Sequence, residues 1–358
     1  MERILVINPG STSTKLAVFE DKEKKYSVTL THSDEVLSQF SQVMSQRDFR
    51  ANAIEEELAK SGYTLSDFTC IVSRGGLLPP CASGAYKVND AMLDYCYAQK
   101  HDAHTSNVGC AVAKLLCERS GKEIPCYIYD PVSVDELTPI ARITGLPEIP
   151  KISRGHALNS HAMAHRCADE VMHKPLDECT FIVQHIGGGC SVWLMHGGRA
   201  IDMYSDDDAG FSPERCGKIQ AMSLIKMCYS GKYSFADMAK KVRGNAGLRA
   251  HLGTSDARRV EEMIAGGDEH AKLVYEAFAY GIAKGIGDLA TVVKGKVDRI
   301  ILTGGVANSK LLTDMIRDRV EWIAPVEVMA GEYEMEALAE GALRVLRGEE
   351  EARDFIGK

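Results

Sequence analysis

The hydrophobic pattern of the first thirty residues predicts two buried strands that are joined by a short polar turn. The apolar run 4–7 breaks at Asn8-Pro9-Gly10, four hydroxyl residues follow, and a second run covers 15–19. A third strand is predicted over 25–31. Apolar, β-branched runs bounded by glycine and proline are typical of buried strands. The sequence therefore predicts a hairpin whose tip carries backbone N–H groups and hydroxyl donors.

The same order of elements returns in the second half of the chain. An apolar strand is predicted over 180–186, a turn at Gly187, Gly188 and Gly189, and return strands over 191–195 and 199–203. A repeated strand–turn–strand–strand order indicates a weak internal duplication. The pattern predicts an α/β protein built from two similar halves, each of which supplies one glycine-rich hairpin to a cleft between them.

The remaining periodicity predicts helices that alternate with single strands. Helices are predicted mainly over 34–62, 89–99, 107–120, 156–173 and 334–347, and further strands over 70–73, 125–129, 299–303 and near 326–329. Residues 131–155 contain several Pro and Gly and are predicted to form a connector with little regular structure. We expect two domains, 1–175 and 176–358, with helix 334–347 able to pack back on the first.

Composition excludes several classes of protein. The 358 residues are 45% hydrophobic and 26% charged, which is ordinary for a globular chain, and the net charge is −8. A nucleic-acid or membrane-surface protein would be basic instead. No signal peptide and no apolar run of membrane-spanning length is predicted. The 11 cysteines include no C-x-x-C pair, so we expect free thiols and a cytoplasmic location.

The first hairpin has the chemistry of a phosphate-binding loop. Asn8, Gly10, Ser11, Ser13 and Lys15 offer backbone N–H groups, hydroxyls and one positive charge. The Walker spacing is absent and a strand follows the glycine, so this is neither a P-loop nor a dinucleotide fingerprint. An ordinary polar turn is the alternative, and the recurrence of glycine turns at 185–191 and 303–309 weighs against it.

Two other segments have the chemistry of a nucleotide site. Gly187, Gly188 and Gly189 would let a phosphate approach the backbone closely. Gly304 and Gly305 end a buried strand just before a helix, where an adenine or a ribose could lie against the backbone.

Several charged or titratable residues fall where strands end or helices begin. They are His104, His156, His185, Arg74, Asp130 and Glu334, and Arg215 in the segment 211–217 is a further candidate. A loop histidine is usually only a satisfied polar residue. His161 and His165 have helical i,i+4 spacing but lack the H-E-x-x-H pattern, so we interpret them as structural. The run Asp206-Asp207-Asp208 is interpreted as a solvated acidic loop rather than a metal site.

The segment Asn8-Pro-Gly-Ser-Thr-Ser-Thr-Lys15 resembles the first phosphate loop of the acetate and butyrate kinases, in the superfamily of sugar kinases, actin and heat-shock ATPases. The Pro-Gly-Ser-Thr-Ser-Thr form is similar to that of the butyrate kinases. Residues 184–191 resemble the family's second phosphate loop, in which Gly188 replaces the usual asparagine. Residues 300–309, with Asn308, resemble the adenosine motif. The segment around Asp256 resembles a stretch near adenosine, although Asp256 is equally suited to be a helix N-cap.

The resemblance implies roles for the remaining candidates. His104, His156 and His185 match histidines near the transferring phosphoryl group, Arg215 matches an anion-binding arginine, and Asp130 and Glu334 match the acids associated with Mg²⁺. Arg74 departs from the pattern: it occupies the family's histidine position, while Ile71 stands where the family has arginine. The charge is expected to have moved to Arg74.

The resemblance also implies an activity. We expect an actin-like (ribonuclease H-like) carboxylate kinase that uses ATP, ADP and Mg²⁺, forms an acyl phosphate by direct in-line attack, and assembles as a homodimer or larger homo-oligomer. Ser73, Ala103 and Gly155 are small where the acetate kinases have bulky pocket residues, which favours butyrate or a branched acid. An acetate or propionate kinase, or a non-catalytic nucleotide-driven binding protein, remains an alternative.

Overall fold

A computed structural model describes residues 1–99 and 104–357 of the chain. The strands are β1 Arg3–Pro9, β2 Ser13–Glu20, β3 Glu23–Thr31, β4 Cys70–Arg74, β5 Ala85–Lys87, β6 Cys126–Tyr129, β7 Thr180–Ile186, β8 Cys190–His196, β9 Arg199–Tyr204, β10 Arg299–Gly304, β11 Val326–Ala330 and β12 Arg353–Asp354. The α-helices are α1 Asp34–Leu37, α2 Arg47–Lys60, α3 Asp90–Ala98, α4 Val108–Arg119, α5 Ala157–Cys167, α6 Ala221–Cys228, α7 Phe235–Val242, α8 Gly247–Leu252, α9 Ala257–Ala265, α10 Glu269–Val292, α11 Lys310–Val320 and α12 Glu334–Leu346.

The strands form two sheets that share one arrangement. The first has the order β12-β5-β6-β4-β1-β2-β3 and the second β11-β10-β7-β8-β9. In each, three successive antiparallel strands (β1 to β3, β7 to β9) continue into two strands that run parallel to the first of them (β4 and β6, β10 and β11). The predicted α/β fold with two similar halves is confirmed.

The core of the first compact unit lies on both faces of its sheet. Leu5, Ile7 and Ile71 are fully buried in a cluster with apolar residues of α2 and α4. Side chains alternate between the faces of a strand, so the fully buried Ile4 and Val6 face the other way, and α12 contacts the same strand β1. The need to cover both faces explains why β1 is a continuous apolar run rather than an alternating one.

The second compact unit repeats this plan around its own sheet. The long helix α10 packs on β7 and β8, where Ile182 and Leu194 are fully buried among its apolar residues. Helix α5 contacts β7 and β10. The strands that carry the second glycine turn are thus held between helices, as those of the first hairpin are.

The two compact units divide the chain differently from the two predicted domains. Residues 1–135 and 333–358 form the first unit, and residues 136–332 form the second. Compared with the predicted boundary after residue 175, residues 136–175 group with the second unit. Helix α12 groups with the first unit and contacts β1 and β4.

Two predicted helices are shorter than expected. The helix predicted over 34–62 is interrupted after Leu37, where the Ser38 hydroxyl donates to the carbonyl of Glu35 at 2.8 Å, and resumes at Arg47. Serine side chains that bond to nearby backbone compete with helical hydrogen bonding. The helix predicted over 156–173 changes after Cys167 to a π turn that ends at His173, in the left-handed region, before Pro175. None of the described helices is both long and apolar enough to cross a lipid bilayer.

Candidate active site

The first hairpin forms a tight turn at the predicted position. Gly10 N–H donates to the carbonyl of Ser13 at 2.8 Å, and Ser11 at the tip is exposed. Asn8, at the end of β1, is buried, and its Nδ2 donates to Glu334 Oε2 at 2.6 Å. Lys15 pairs with Asn8 in the strand register and is exposed. The turn can therefore offer backbone N–H groups, hydroxyls and a lysine to an anion.

Three candidate residues stand at the carboxyl ends of neighbouring parallel strands. Asn8 lies at the end of β1, Arg74 ends β4, and Asp130 directly follows β6. This edge of an α/β sheet is where ligands usually bind. Arg74 Nη1 lies 3.0 Å from Glu334 Oε1, so Glu334 joins Asn8 and Arg74 in one polar cluster.

His104 lies close to Arg74. Its Nδ1 accepts from Ser106 N–H at 3.2 Å, at the start of a short 3₁₀ turn. Desolvation by the surrounding protein lowers the pKa of His104, although the residue keeps contact with solvent, and the positive charge of Arg74 lowers it further. A neutral imidazole whose Nδ1 accepts carries its proton on Nε2, so the ring can donate a hydrogen bond.

Asp130 and Glu334 have the donor chemistry that Mg²⁺ requires. Asp130 is almost fully buried, its backbone has a φ of 39°, and its Oδ1 accepts from Gly84 N–H at 2.7 Å. Within the described ranges, no three His, Cys, Asp or Glu residues are grouped as metal ligands. Mg²⁺ commonly takes only one or two carboxylates together with water and phosphate oxygens, so two acids fit it.

One of the positions predicted to shape an acyl pocket, Ser73, lies in the first unit's strand β4. Ser73 is fully buried, and its Oγ lies 2.3 Å from where a Cβ on Gly109 would be, so it packs against α4. Ile71, the position of the family's arginine, is fully buried in the apolar core. An arginine there would bury an unpaired charge, which supports Arg74 as the charged residue of this strand. Ala103 lies outside the described residues.

The glycine turn at residues 187–189 is closed by a backbone hydrogen bond, and residues 212–214 bind its central carbonyl. Gly187 N–H donates to the carbonyl of Gly189 at 3.0 Å, and the carbonyl of Gly188 accepts from Ser212 Oγ at 2.7 Å and from Glu214 N–H at 3.1 Å. A Cβ on Gly189 would lie 2.5 Å from Asp206 Oδ1. Position 189 therefore requires glycine, because the Asp206 carboxylate lies too close to leave room for a side chain.

Arg215 lies between two of these acidic side chains. Its Nε is 3.8 Å from Asp206 Oδ2, and its Nη1 is 3.6 Å from Glu214 Oε2. Arg215 Nε and Asp206 Oδ1 are buried without a hydrogen-bond partner among the described residues. In the acidic run 206–208, Asp207 is exposed and pairs with Arg243 at 3.0 Å, and the half-buried Asp208 accepts from Ser205 N–H.

His156 and His185 are stacked face to face. Their ring centroids are 3.8 Å apart and their planes differ by 9°. Asn159 Nδ2, which donates to Thr303 Oγ1 at 3.1 Å, lies at the same distance from His185 Nδ1. With the amide as donor, His185 Nδ1 accepts, and the proton of the neutral ring is on Nε2.

Ser191 and Trp193 determine which ring nitrogen of a neutral His156 carries the proton, as Asn159 does for His185. Trp193 Nε1, which can only donate, lies 3.1 Å from Ser191 Oγ, so this oxygen accepts from it. The single hydroxyl proton of Ser191 is then directed to His156 Nδ1, 3.0 Å away. A neutral His156 therefore also carries its proton on Nε2. The sequence analysis missed Ser191, Trp193 and Asn159 as supports of the histidines.

Gly155 is packed against these same side chains. A Cβ on Gly155 would lie 2.9 Å from Ser191 Cβ, 2.9 Å from Trp193 Cζ2 and 3.0 Å from Met203 Cε. The indole of Trp193 is buried beside it, with its ring edge-on to the buried His161 at 6.3 Å. The position is small because a tryptophan lies against it.

A cavity of about 600 Å³ is lined by three of the four residues predicted to hold the nucleoside. Its lining includes Asp256, Gly305 and Asn308. Gly304 has a φ of 92°, and a Cβ there would lie 2.4 Å from the carbonyl oxygen of Ile186, so only glycine fits where β10 passes the second turn. Asp256 is the N-cap of α9, and its Oδ1 accepts from Arg258 N–H at 3.0 Å.

The repeated sheets place the chain in the actin-like class of α/β folds, and solved structures agree. A propionate kinase from Francisella tularensis subsp. tularensis superposes with a TM-score of 0.75 at 18% identity, covering 95% of this chain and 99% of that one. An acetate kinase from Porphyromonas gingivalis gives a TM-score of 0.76 at 16% identity, covering 97% and 100%. These similarities establish the fold.

Sequence comparison specifies the family within that class. The model of the acetokinase family matches residues 154–336. A protein named probable butyrate kinase 2, from Caldanaerobacter subterraneus subsp. tengcongensis, is 49% identical over 351 residues, which are 98% of each chain. The chain belongs to the acetokinase family.

Proposed function

We propose that this protein transfers a phosphoryl group reversibly between ATP and the carboxylate of butyrate or a branched short-chain acid, giving ADP and an acyl phosphate. The observation that carries the proposal is that each compact unit has its own set of cationic or N–H donors: Arg74 and His104 lie in the first unit, and Arg215 and the stacked His156 and His185 lie in the second. The 49% identity to a protein named as a butyrate kinase supports butyrate as the acid.

The reaction needs positioning and charge stabilisation more than proton transfer. A carboxylate is already ionised at neutral pH, so its oxygen attacks the γ-phosphorus without a general base. That P–O bond forms as the bond to the ADP oxygen breaks, and no proton has to move. Charge develops on the three equatorial phosphoryl oxygens, where fixed donors are most effective.

Each group of residues then has a role in this proposal. The hairpin at residues 8–15 and the turn at residues 187–189 bind phosphate groups, and the cavity lined by Asp256, Gly305 and Asn308 binds the nucleoside. Arg74 and Arg215 orient the carboxylate and neutralise charge. Nε2–H groups of the histidines donate to phosphoryl oxygens. Asp130 and Glu334 would hold Mg²⁺, which when bound neutralises phosphate charge.

The experiment that tests the proposal measures acyl hydroxamate formation with ATP, hydroxylamine and a series of carboxylates from acetate to isovalerate. We expect product with butyrate. ATP binding without product from any carboxylate would contradict the proposal and leave a non-catalytic nucleotide-binding protein. Strong preference for acetate or propionate would keep the reaction and change the substrate.

Acetate should be about tenfold or more poorer than butyrate in kcat/KM, and isobutyrate and isovalerate should be accepted. Each buried methylene contributes about 0.8 kcal/mol in a filled apolar pocket, and butyrate has two more than acetate. Initial rates across the acid series measure the effect; equal efficiency for acetate and butyrate would contradict it.

Gly155→Phe is a poor probe of this pocket. Because Gly155 lies against Trp193 and Ser191, the phenylalanine would displace both side chains and with them the hydrogen bond to His156. We therefore expect this variant to lose turnover with every acid, in addition to any change in chain-length preference.

Ser191→Ala should lower kcat about tenfold and leave the KM for ATP nearly unchanged. The substitution removes the hydroxyl that donates to His156 Nδ1, so the ring no longer has a fixed tautomer. Steady-state kinetics measure the split, and ¹⁵N NMR of His156 should show a weaker preference for Nε2–H. The control is Ser160→Ala, since Ser160 Oγ is buried without a hydrogen-bond partner in the described parts of the chain. Equal kinetics in the two variants would exclude the role of Ser191.

The proposal includes a cytoplasmic homodimer or larger homo-oligomer. All eleven cysteines are free thiols, which fits a reducing compartment. Helix α6 has no buried residue, and its Met222 and Ile225 are exposed, as expected for a surface that another subunit covers. Sedimentation velocity tests this part, and a monomer at micromolar concentration would contradict it.

A further inference from the structure

Arg50 is a completely buried arginine behind the tip of the first hairpin. It lies on α2 and has no solvent exposure. Its Nη1 donates to the carbonyl of Ser13 and to Thr14 Oγ1, both at 2.8 Å, and its Nη2 donates to the carbonyl of Gly10 at 3.0 Å. Arg50 Nη2 also makes a longer hydrogen bond to the carbonyl of Ser11, at 3.4 Å. Its Nε donates to Gln46 Oε1 on the same helical segment at 3.0 Å. One guanidinium thus holds much of the turn.

The charge of Arg50 has no acidic partner. Every oxygen that it contacts is neutral, and no carboxylate lies within ion-pair distance of it in residues 1–99 and 104–357. Desolvation lowers the pKa of Arg50 to about 10, so the side chain is still a cation at neutral pH. A buried cation without a counter-ion is costly in free energy, and a nearby anion reduces that cost.

All four backbone carbonyls of residues 10–13, at the tip of the hairpin, accept hydrogen bonds. Those of Gly10, Ser11 and Ser13 are held by Arg50, and that of Thr12 accepts from His32 N–H at 2.8 Å. All four are therefore directed into the protein. In a trans peptide the N–H points away from the C=O of the same unit.

The N–H groups of Ser11, Thr12 and Ser13 therefore point away from the protein interior. Ser11 and Thr12 are exposed, and Ser13 is half-buried. Successive amides directed to one side form an anion-binding concavity.

We propose that Arg50 is a positioning residue of this phosphate hairpin: it fixes the carbonyls so that three amides face a phosphate, and that phosphate supplies the charge opposite to the buried guanidinium. The inference rests on the proposed function insofar as the phosphate belongs to ATP or to the acyl phosphate. Arg50 itself contacts no ligand, because the hairpin separates it from the exposed side of the tip.

Two substitutions separate this role from a general structural one. Arg50→Met keeps the aliphatic part of the side chain and removes the charge, and Arg50→Lys keeps the charge and loses the fork of donors. For Arg50→Met we expect the KM for ATP to rise about tenfold or more and the stabilisation of the protein by ATP to be largely lost. Arg50→Lys should lie between this variant and the wild type.

The matched control is Arg119→Met on α4 in the same compact unit. Arg119 is on the surface, where its Nη1 donates to Asn52 Oδ1 at 2.9 Å and pairs with Glu55. It should leave the KM for ATP unchanged. The proposal is overturned if Arg50→Met lowers the unfolding temperature or kcat while the KM for ATP and the ATP-dependent rise in unfolding temperature equal those of the control.

A measurement on the unmodified protein decides the matter if Arg50→Met does not fold. Titration of full-length protein with ADP and, separately, with inorganic phosphate should shift the ¹⁵N–¹H signals of Ser11, Thr12 and Ser13. Signals that do not move at saturating ADP would overturn the proposal. The measurement of the ATP-dependent rise in unfolding temperature and the NMR titration contain no carboxylate substrate, so an absence of hydroxamate product alongside Arg50-dependent ATP binding would contradict the proposed function alone.

Discussion

Replacing Arg215 by alanine should lower kcat about 100- to 1000-fold while ATP binding changes far less. The guanidinium lies beside the glycine turn, and its buried Nε has no hydrogen-bond partner among the described residues, so it is available to an anion that forms during the reaction. Removing one fixed donor to a developing charge typically costs this much in turnover. Glu214 would keep its ion pair with Arg249, so the structure around the turn should change little before the reaction.

The control for Arg215→Ala is Arg243→Ala on a neighbouring segment. Arg243 forms a backbone bridge with Arg215, but its side chain pairs with Asp207 and is more exposed, at 40% against 25%. Steady-state turnover and calorimetric ATP affinity are the measurements. If the two variants turn over alike, Arg215 does not take part in the chemistry.

Replacing Arg74 by alanine should raise the KM for the carboxylate and lower kcat, together at least about 100-fold in kcat/KM. Arg74 ends β4 beside Asn8 and Glu334, and Ile71 is buried in the core, so no other arginine on this strand can take its place. The pKa of His104 should also rise, because the Arg74 charge disfavours the imidazolium. Kinetics with varied butyrate and an NMR titration of His104 measure the two effects.

Arg3→Ala is the matched control for Arg74→Ala. Arg3 lies at the opposite end of β1, pairs with Glu20 at 2.7 Å, and has a side-chain exposure of 29% against 25% for Arg74. Its loss should leave kcat/KM unchanged. Arg74→Lys should recover part of the activity if charge is what matters. Normal carboxylate kinetics in Arg74→Ala would show that another residue binds the acid.

The strands and their turns could be predicted from the sequence because they are strongly local features. The runs that became β1, β7 and β10 are apolar and end at glycine or proline, so both their type and their ends are specified by nearby residues. The same locality made the two glycine-rich turns and the strand before Gly304 predictable.

The supports of the site were not predictable because they depend on contacts that are distant in sequence. Arg50 is one of several polar residues in a helical pattern, and nothing near it shows that its side chain reaches Ser13, 37 positions earlier. Ser191 and Trp193 left a weaker signal, since residues two apart on a strand share a face. A glycine at position 155 is compatible both with an open substrate pocket and with a large side chain packed against it. The structure shows the second case, with Trp193 against Gly155.

The interleaving of the two compact units affects when the site can form during synthesis. Residues 136–332 are translated as one continuous block. Glu334, which accepts a hydrogen bond from Asn8 and forms an ion pair with Arg74, is made after that block. Domains tend to fold as they leave the ribosome. The N-terminal sheet must therefore wait, with the β1 and β4 faces that α12 covers still open, while all of the second unit is made. A nascent chain that stalls before residue 333 would contain the whole second unit but would leave the apolar β1 and β4 faces uncovered, and exposed apolar surface of this kind promotes aggregation.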